Sequence, residues 1–362
     1  MTKGIHQYVS SVQRRDAIGE YAFVLRDIFR GLGYESEIFY DSCSKEVRAE
    51  VVSFDEYNRF SSPKNFLVIH YGIKLPYLRL LTSLPEKKIL IYHNITPGNF
   101  FKTFAPWMIN KCQESRQEVT DLRKWITVAA GDSDYNSNEL REMGYENVHT
   151  IPLSVDFSKY KVDPDPKTLD IYSDDEWINW LFVGRISPNK KHEDLIKCFY
   201  YYQKYINRRS RLFLVGHGVG MNSYVQYLKG LIAHLGVTQV HLTGSVSQEV
   251  LAAFYKTADL FIAMSEHEGF CVPLLEAFYY GVPIFAYDSS AVAETLGGAG
   301  VLIKEKRPAE IATLADYLLK NPRMKADIIE QQTERLKVFK REPILKRWKE
   351  LIISVQTKQL TC

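Results

Sequence analysis

No apolar stretch in this sequence comes near the roughly 20 residues a helix needs to cross a bilayer, so a spanning architecture is not expected. Cysteine is sparse: Cys43, Cys112, Cys198, Cys271 and Cys362 lie far apart. That spacing excludes a disulfide framework and a cysteine zinc site. Excess charge is lacking too, with 46 Lys and Arg against 43 Asp and Glu, a net of +3. Such a balance carries no electrostatic footprint for nucleic acid, and no nucleic-acid partner is expected. The opening residues, Met-Thr-Lys-Gly-Ile-His-Gln-Tyr, lack the pattern of a secretory signal. There is no low-complexity tract and no repeat of fixed period. A reducing, cytoplasmic setting is expected.

What the chain does have is length and apolar content. Its 362 residues, 46% hydrophobic and 13% aromatic, suffice for two domains with sizeable cores. Short apolar runs recur along it: Ile5–Val9, Ser36–Tyr40, Asn65–Tyr71, Lys88–Tyr92, Ile126–Ala130 and Val148–Pro152 in the first half. Trp177–Val183, Arg211–Val215, Val240–Thr243, Ala258–Met264 and Val282–Ala286 follow in the second. Runs of that length, separated by helical patterns, read as buried strands of parallel α/β sheets. Asn99–Trp125 reads as one helix with Phe100, Phe101, Phe104, Trp107, Met108 and Ile109 clustered at its start. Core packing is the favoured role for that cluster. A hydrophobic lip beside an acceptor or a membrane, with Lys102 and Lys111 near lipid phosphates, is the sharper alternative. Lys159–Glu176, polar with Pro164 and Pro166, reads as the link between domains.

The chemistry concentrates in Ser265–Pro283. A strand ends at Met264, and a polar loop with Glu268, Gly269, Phe270 and Cys271 follows. Then Val272, Pro273 and Leu274 open a helix, with Pro273 suited to its first turn. Gly281 can end it. In parallel sheets ligands bind outside the carboxyl ends of the strands, and a helix start there attracts anions. Glu268 and Glu276 flank seven residues, about two helical turns, so both can face one cleft. Two carboxylates beside an anion site make sense where they accept from ligand hydroxyls while the backbone holds a phosphate. A nucleotide sugar offers both. A bare Glu pair at this spacing is commonly a solvated face; the intervening Gly269, Phe270 and Pro273 make the string specific.

This string resembles the signature of the retaining family-4 glycosyltransferases, which have the GT-B fold: α/β, two Rossmann-like doubly wound domains facing a central cleft. The resemblance covers nearly the whole chain and is most specific from residue 180 to 300. It implies that Glu268 and the following loop meet the donor sugar and that Glu276 binds the nucleotide ribose. Val183-Gly184-Arg185, with Lys190 five residues on, resembles the family's diphosphate-binding pair, the alternative being a solvated basic loop. The family often has glycine where Lys191 stands. Tyr92-His93-Asn94-Ile95-Thr96-Pro97 resembles a subgroup of bacterial members and implies a donor-sugar contact for His93. His70, ending a comparable strand, is evenly balanced between site and structure. Gly19, after Arg14, Arg15 and Asp16, sits at a helix start where relatives carry two glycines near the diphosphate or acceptor; the arginines read as plain surface charges. Gly216 and Ser245 are expected to border the base. Glu294 reads as a helix cap.

The expected domains are 1–157, for the acceptor, and 158–342, for the donor, with a terminal helix at about 343–362 returning to the first through Trp348, Leu351 and Ile352. Asp132-Ser133-Asp134 and Asp163-Pro164-Asp165 match a short metal-binding pattern, but the first follows a strand in a turn-rich loop where Asp serves turns and caps, and the second sits between prolines in the link; no metal and no cofactor is expected. The expected activity is metal-independent transfer, with retention, of a hexose from a nucleotide-diphosphate sugar, GDP-mannose first and UDP-hexose next. The acceptor class is a glycan or lipid-linked glycan in surface polysaccharide assembly, with peripheral membrane contact through basic and aromatic surface. The alternatives are a silent nucleotide-sugar-binding protein, or a sugar epimerase or phosphorylase of the same fold.

Overall fold

The computed structural model describes residues 4–14 and 16–357. Arg15 and Cys362 lie outside them. The chain divides into two compact units. The first comprises Met1–Pro97, Asn110–Asp156 and Val338–Cys362, the second Gly98–Ile109 and Phe157–Lys337.

In the first unit the order is β1 (Ile5–Val12), α1 (Ala17–Gly31), β2 (Ile38–Cys43), β3 (Val52–Ser53), β4 (Phe66–Tyr71), α2 (Leu78–Ser83) and β5 (Lys87–Tyr92). Then come α3 (Trp107–Leu122), β6 (Ile126–Gly131), α4 (Asp134–Glu142) and β7 (Val148–Thr150). The strands form one sheet in the order β3-β2-β1-β4-β5-β6-β7, every pairing parallel. β4 is buried at all six positions, as a parallel strand covered on both faces must be. α1 starts at Asp16, whose side chain accepts from the Gly19 N–H. Its buried face packs Ala22 and Phe23 with Val9, Val12 and Ile38. Arg14 is no bare surface charge, since it pairs with Glu50 at 2.7 Å and lies over the Phe23 ring.

In the second unit α5 (Pro166–Tyr172), β8 (Ile178–Val183), α6 (His192–Tyr205), β9 (Ser210–Val215), α7 (Asn222–Leu235), β10 (Val240–Gly244) and α8 (Gln248–Thr257) come first. β11 (Leu260–Ala263), α9 (Val272–Tyr280), β12 (Ile284–Tyr287), α10 (Val292–Leu296), β13 (Val301–Ile303), α11 (Pro308–Leu319) and α12 (Pro322–Leu336) follow. The sheet order is β10-β9-β8-β11-β12-β13, again parallel throughout. The last helix, α13 (Arg341–Thr357), belongs to the first unit. There Trp348 is fully buried, meets Phe29 edge-on and donates from Nε1 to the Tyr21 hydroxyl at 3.0 Å.

Three sequence expectations need correction. Asn99–Trp125 is not one helix: a short 3-10 turn spans Gly98–Phe101, and α3 begins only at Trp107. The apolar cluster at its start goes with the second unit, where Phe104 packs on Tyr224 and Tyr227 and Phe101 is buried, while Trp107 stays exposed. The Lys159–Glu176 link holds helix α5, because Asp165 caps it by accepting from the Thr168 N–H and hydroxyl. Glu294 does not cap α10, whose cap residue Ala291 gives its N–H to the Glu268 carbonyl.

Candidate active site

In each sheet the chain begins at an inner strand, winds to one edge, then returns and builds toward the other. The reversal falls between β1 and β4 in the first unit and between β8 and β11 in the second. Loops leaving two such strands at their carboxyl ends diverge and open a crevice, the usual ligand position in doubly wound sheets. In the second unit the two loops at this point are Gly184–Lys191 and Met264–Cys271. They carry Arg185, Lys190, Glu268, Gly269, Phe270 and Cys271.

The loops are tied to each other. Asn189 accepts from Ser187 through its side-chain oxygen and donates to the His267 carbonyl, while its own carbonyl takes the Glu266 N–H. Lys190 Nζ donates to both Glu268 oxygens, at 2.6 and 2.5 Å. The Glu268 N–H donates to Ser290 Oγ at 2.7 Å. Glu268 is buried and Lys190 half-buried. Arg185 is exposed. A second network lies alongside, in which Lys191 reaches Glu266 and Lys306 bridges Glu266 and Asp194.

α9 starts at Cys271, in the left-handed region at φ 75°, with no side chain capping it and Pro273 in its first turn. The Cys271 thiol is buried and, with Glu268 close by, its pKa is pushed well up, so it is a neutral neighbour. An uncapped helix start near Lys190 turns its free N–H groups and positive dipole end toward a crevice whose wall carries a carboxylate. Val272 and Leu274 stand in the same first turn. One turn on, Glu276 accepts from Tyr160 at 2.9 Å and Tyr255 at 2.8 Å. Neither tyrosine stood out in the sequence; only the fold brings them to Glu276.

Gly184, Gly216 and Gly244 stand side by side at the ends of β8, β9 and β10. Gly184 donates to the Val215 carbonyl and Gly216 to the Gly244 carbonyl. A Cβ on Gly216 would lie 1.9 Å from the Gly184 oxygen, so this glycine is required by strand packing whatever it binds. Ser245, next in the chain, is exposed.

The remaining named residues lie in the first unit. Gly19 approaches the loop after β1 so closely that a Cβ would meet the Gln13 carbonyl at 2.5 Å. Its N–H is already given to Asp16. His93 belongs to a buried chain of side chains. Gln7 donates its amide N–H to the Ala22 carbonyl, so its oxygen accepts from His70 Nε2. His70 Nδ1 is therefore left to accept from His93 Nε2 at 3.0 Å. His93 Nδ1 meets Asp132 at 3.1 Å, and Asp132 also takes the Asn136 amide. Burial drives the His70 pKa well down, reinforced by His93. Burial also raises that of Asp132, opposed by His93. With both ring nitrogens committed, the His93 side chain is 4% exposed and offers a sugar no free donor in this arrangement. His70 is wholly internal. Asp132 meets His93 while Ser133 caps α4, and Asp165 caps α5.

Residues 167–335 match the family model "Glycosyl transferases group 1". O-antigen chain mannosyltransferase B of Escherichia coli is 25% identical over 247 residues, covering 65% of this chain and 61% of that protein. MMP alpha-(1->4)-mannosyltransferase of Mycolicibacterium hassiacum is 36% identical over 97 residues, 26% of this chain and 24% of that one. The chain thus spans less than two thirds of the length of these curated relatives. The structure of Anabaena HepE in complex with UDP-glucose matches with a TM-score of 0.75 at 16% identity, covering 97% of this chain and 99% of that chain. At that identity the likeness is one of fold, and the fold is GT-B: two parallel α/β sheets with alternating helices.

Proposed function

We propose that the chain is a glycosyltransferase that moves a hexose from a nucleotide-diphosphate sugar to a glycan or lipid-linked glycan, with retention and without a metal. The observation that carries this reading is the Lys190–Glu268 pair at the second unit's strand reversal, beside the uncapped start of α9. The diphosphate would lie over the first turn, at Gly269 to Leu274, with Arg185 and Lys190 neutralising the charge that develops as it leaves. Glu268 would hold hydroxyls of the donor sugar and Glu276 those of the ribose. Gly184, Gly216 and Ser245 would border the base. The resemblance assigns the donor sugar to His93 and the diphosphate or the acceptor to Gly19. His93 can give a hydrogen bond to a sugar only by exchanging His70 or Asp132, so its part is smaller than that of the second-unit residues.

A diphosphate would compete with Glu268 for Lys190. Leaving-group stabilisation and orientation supply the rate enhancement. No carboxylate stands out in the sequence as an obvious covalent nucleophile, and attack from the face the leaving group departs is the route we propose. Mannose on GDP is the first donor to test, supported by mannosyltransferases among the relatives, and UDP-hexose the next, supported by the UDP-glucose complex of a protein of like fold. No helix among the described residues is long and apolar enough to cross a membrane. We place the enzyme in the cytoplasm, working at the membrane surface where lipid-linked acceptors reside.

A thermal-shift panel of UDP, GDP, ADP and their sugars, with and without chelator, tests the donor site. A ligand of the native state raises its melting temperature by mass action. A chelator-insensitive rise with one nucleotide, abolished in Lys190→Ala, is the expected result. No rise with any nucleotide, or a rise lost to chelator, overturns the donor reading or its metal independence. A product of inverted anomeric configuration would falsify retention.

A further inference from the structure

The surroundings of Glu276 carry a further assignment, one that rests on the donor reading above. The residue lies in the middle of α9 and is half-buried. Among the described residues no cation pairs with it. Instead it accepts from two neutral donors: Tyr160 gives its hydroxyl to Oε1 at 2.9 Å and Tyr255 gives its hydroxyl to Oε2 at 2.8 Å. They come from opposite directions in the chain, Tyr160 from the turn Phe157–Tyr160 and Tyr255 from α8.

Neither tyrosine is free to swing. Tyr160 is 2% exposed and Tyr255 1%. Tyr255 stacks on Tyr280 with ring centres 5.0 Å apart and planes within 8°. Tyr160 packs on Tyr279 at 5.2 Å, and its carbonyl takes the Tyr280 hydroxyl at 3.3 Å. Burial and the adjacent Glu276 charge push the Tyr255 pKa well above its ordinary value, so its hydroxyl keeps the proton it donates.

A carboxylate offers about four acceptor directions. One on each oxygen is filled here, which fixes the plane of the group and leaves one on each oxygen. Two neighbouring hydroxyls of one sugar match that remainder in number. A cation in place of the tyrosines would instead have drawn the carboxylate away from neutral hydroxyls.

We propose that Tyr160 and Tyr255 are positioning residues that hold the Glu276 carboxylate for a ribose 2′,3′-diol, and so set a preference for ribonucleoside over 2′-deoxyribonucleoside diphosphates. Removing one hydroxyl from the ligand leaves one carboxylate direction unfilled in a partly desolvated site, and charged hydrogen bonds are costly to lose. Removing either tyrosine hydroxyl frees the carboxylate to turn, and an unfixed acceptor discriminates less.

The test is calorimetric binding of UDP, GDP and ADP, each beside its 2′-deoxy counterpart, to the full chain and to four variants. The wild type is expected to favour the ribo form by about 10- to 100-fold. Tyr160→Phe and Tyr255→Phe keep the rings and are expected to lower that ratio to a few-fold, mostly by weakening the ribo form. Tyr317→Phe, on the exposed side of α11, is expected to leave it unchanged. Glu276→Gln separates the two levels of the argument. A ratio lost in Glu276→Gln but intact in both Tyr160→Phe and Tyr255→Phe overturns the positioning role alone. A ratio intact in Glu276→Gln overturns ribose recognition by Glu276, and the inference with it. Binding by none of the nucleotides overturns the donor reading itself.

Discussion

The Lys190 ammonium sits 2.6 and 2.5 Å from the two oxygens of Glu268, so a cation and an anion 78 residues apart in the chain neutralise each other. Glu268 is 7% and Lys190 19% exposed in their side chains. Removing either partner strands the other where water reaches it poorly. Lys190→Ala and Glu268→Ala are each expected to cost about 1–3 kcal/mol of stability. The double variant is expected to cost less than their sum by about 1 kcal/mol or more. Urea unfolding of the four proteins measures this. Strictly additive losses would show that the two charges do not depend on each other.

Gly216 gives a sharper steric test. A Cβ there meets the Gly184 carbonyl oxygen at 1.9 Å and its carbon at 2.7 Å, both backbone atoms of the neighbouring strand end, and φ is +144°. Neither atom can move aside without breaking the sheet. Gly216→Ala is expected to lose about 3 kcal/mol or more, or to yield no soluble protein. Gly230, inside α7 with nothing within 4 Å of a built Cβ, is the matched control. Gly230→Ala is expected to gain about 0.5–1 kcal/mol by helix propensity alone. Melting temperatures moving the same way for both would contradict the contact geometry.

The strands were legible because parallel strands buried on both faces are short apolar runs, and β4 and β9 are buried at every position. The strand-loop-helix around Glu268 was legible for a related reason: Pro273 and Gly281 punctuate it locally. What was not legible depends on distance in the chain. Tyr160 and Glu276 are 116 residues apart and His93 and Asp132 are 39 apart, and no pattern in one sequence couples such positions. The misreading of Asn99–Trp125 has a local cause. Its aromatic cluster imitates a helical stripe, yet Pro106 breaks it just ahead of α3, and those rings find partners in the second unit. Asp165 was read as part of a link because the helix it caps is only seven residues long.

His192 sets a pH dependence whose sign follows from burial. Its ring is fully enclosed, edge-on to Phe182 and Tyr224. Burial, assisted by the Lys190 charge, pushes its pKa down to about 3. In the unfolded chain an imidazole binds a proton once the pH falls below about 6.5. Between those values the unfolded state holds more protons, so stability is lost as pH falls through the window, by about 1.4 kcal/mol per pH unit well inside it. His70, also lowered well below its ordinary value, acts in the same direction. His192→Phe keeps a ring of similar size. Its urea-unfolding free energy is expected to fall less steeply than the wild type's between pH 6 and pH 4, by about 1 kcal/mol per unit. Parallel curves would mean that burial does not lower the proton affinity of His192 in the native state.

Lys191 poses a choice between backbone and charge. It sits in the left-handed region, φ 53° and ψ 48°, at the start of α6, where the family it resembles often has glycine. A residue with a Cβ there costs about 1 kcal/mol relative to glycine. Against this stand its ion pairs with Glu266 at 3.2 Å and Glu193 at 3.7 Å. The side chains of Lys191 and Glu266 are 26% and 34% exposed, and pairs so open to solvent contribute about 0–1 kcal/mol. The two effects are of equal size and opposite sign. Lys191→Gly is therefore expected to be neutral within about 0.5 kcal/mol, while Lys191→Ala, which loses the charge and keeps the strain, is expected to be about 1 kcal/mol less stable than Lys191→Gly. Urea unfolding in low and high salt separates the contributions. Salt is expected to narrow the gap between wild type and Lys191→Ala by screening the pairs, and to leave the gap between Lys191→Ala and Lys191→Gly untouched, because strain does not respond to ions. Equal stability of the Ala and Gly variants would show that the left-handed turn costs lysine nothing and that the ion pairs alone decide the position.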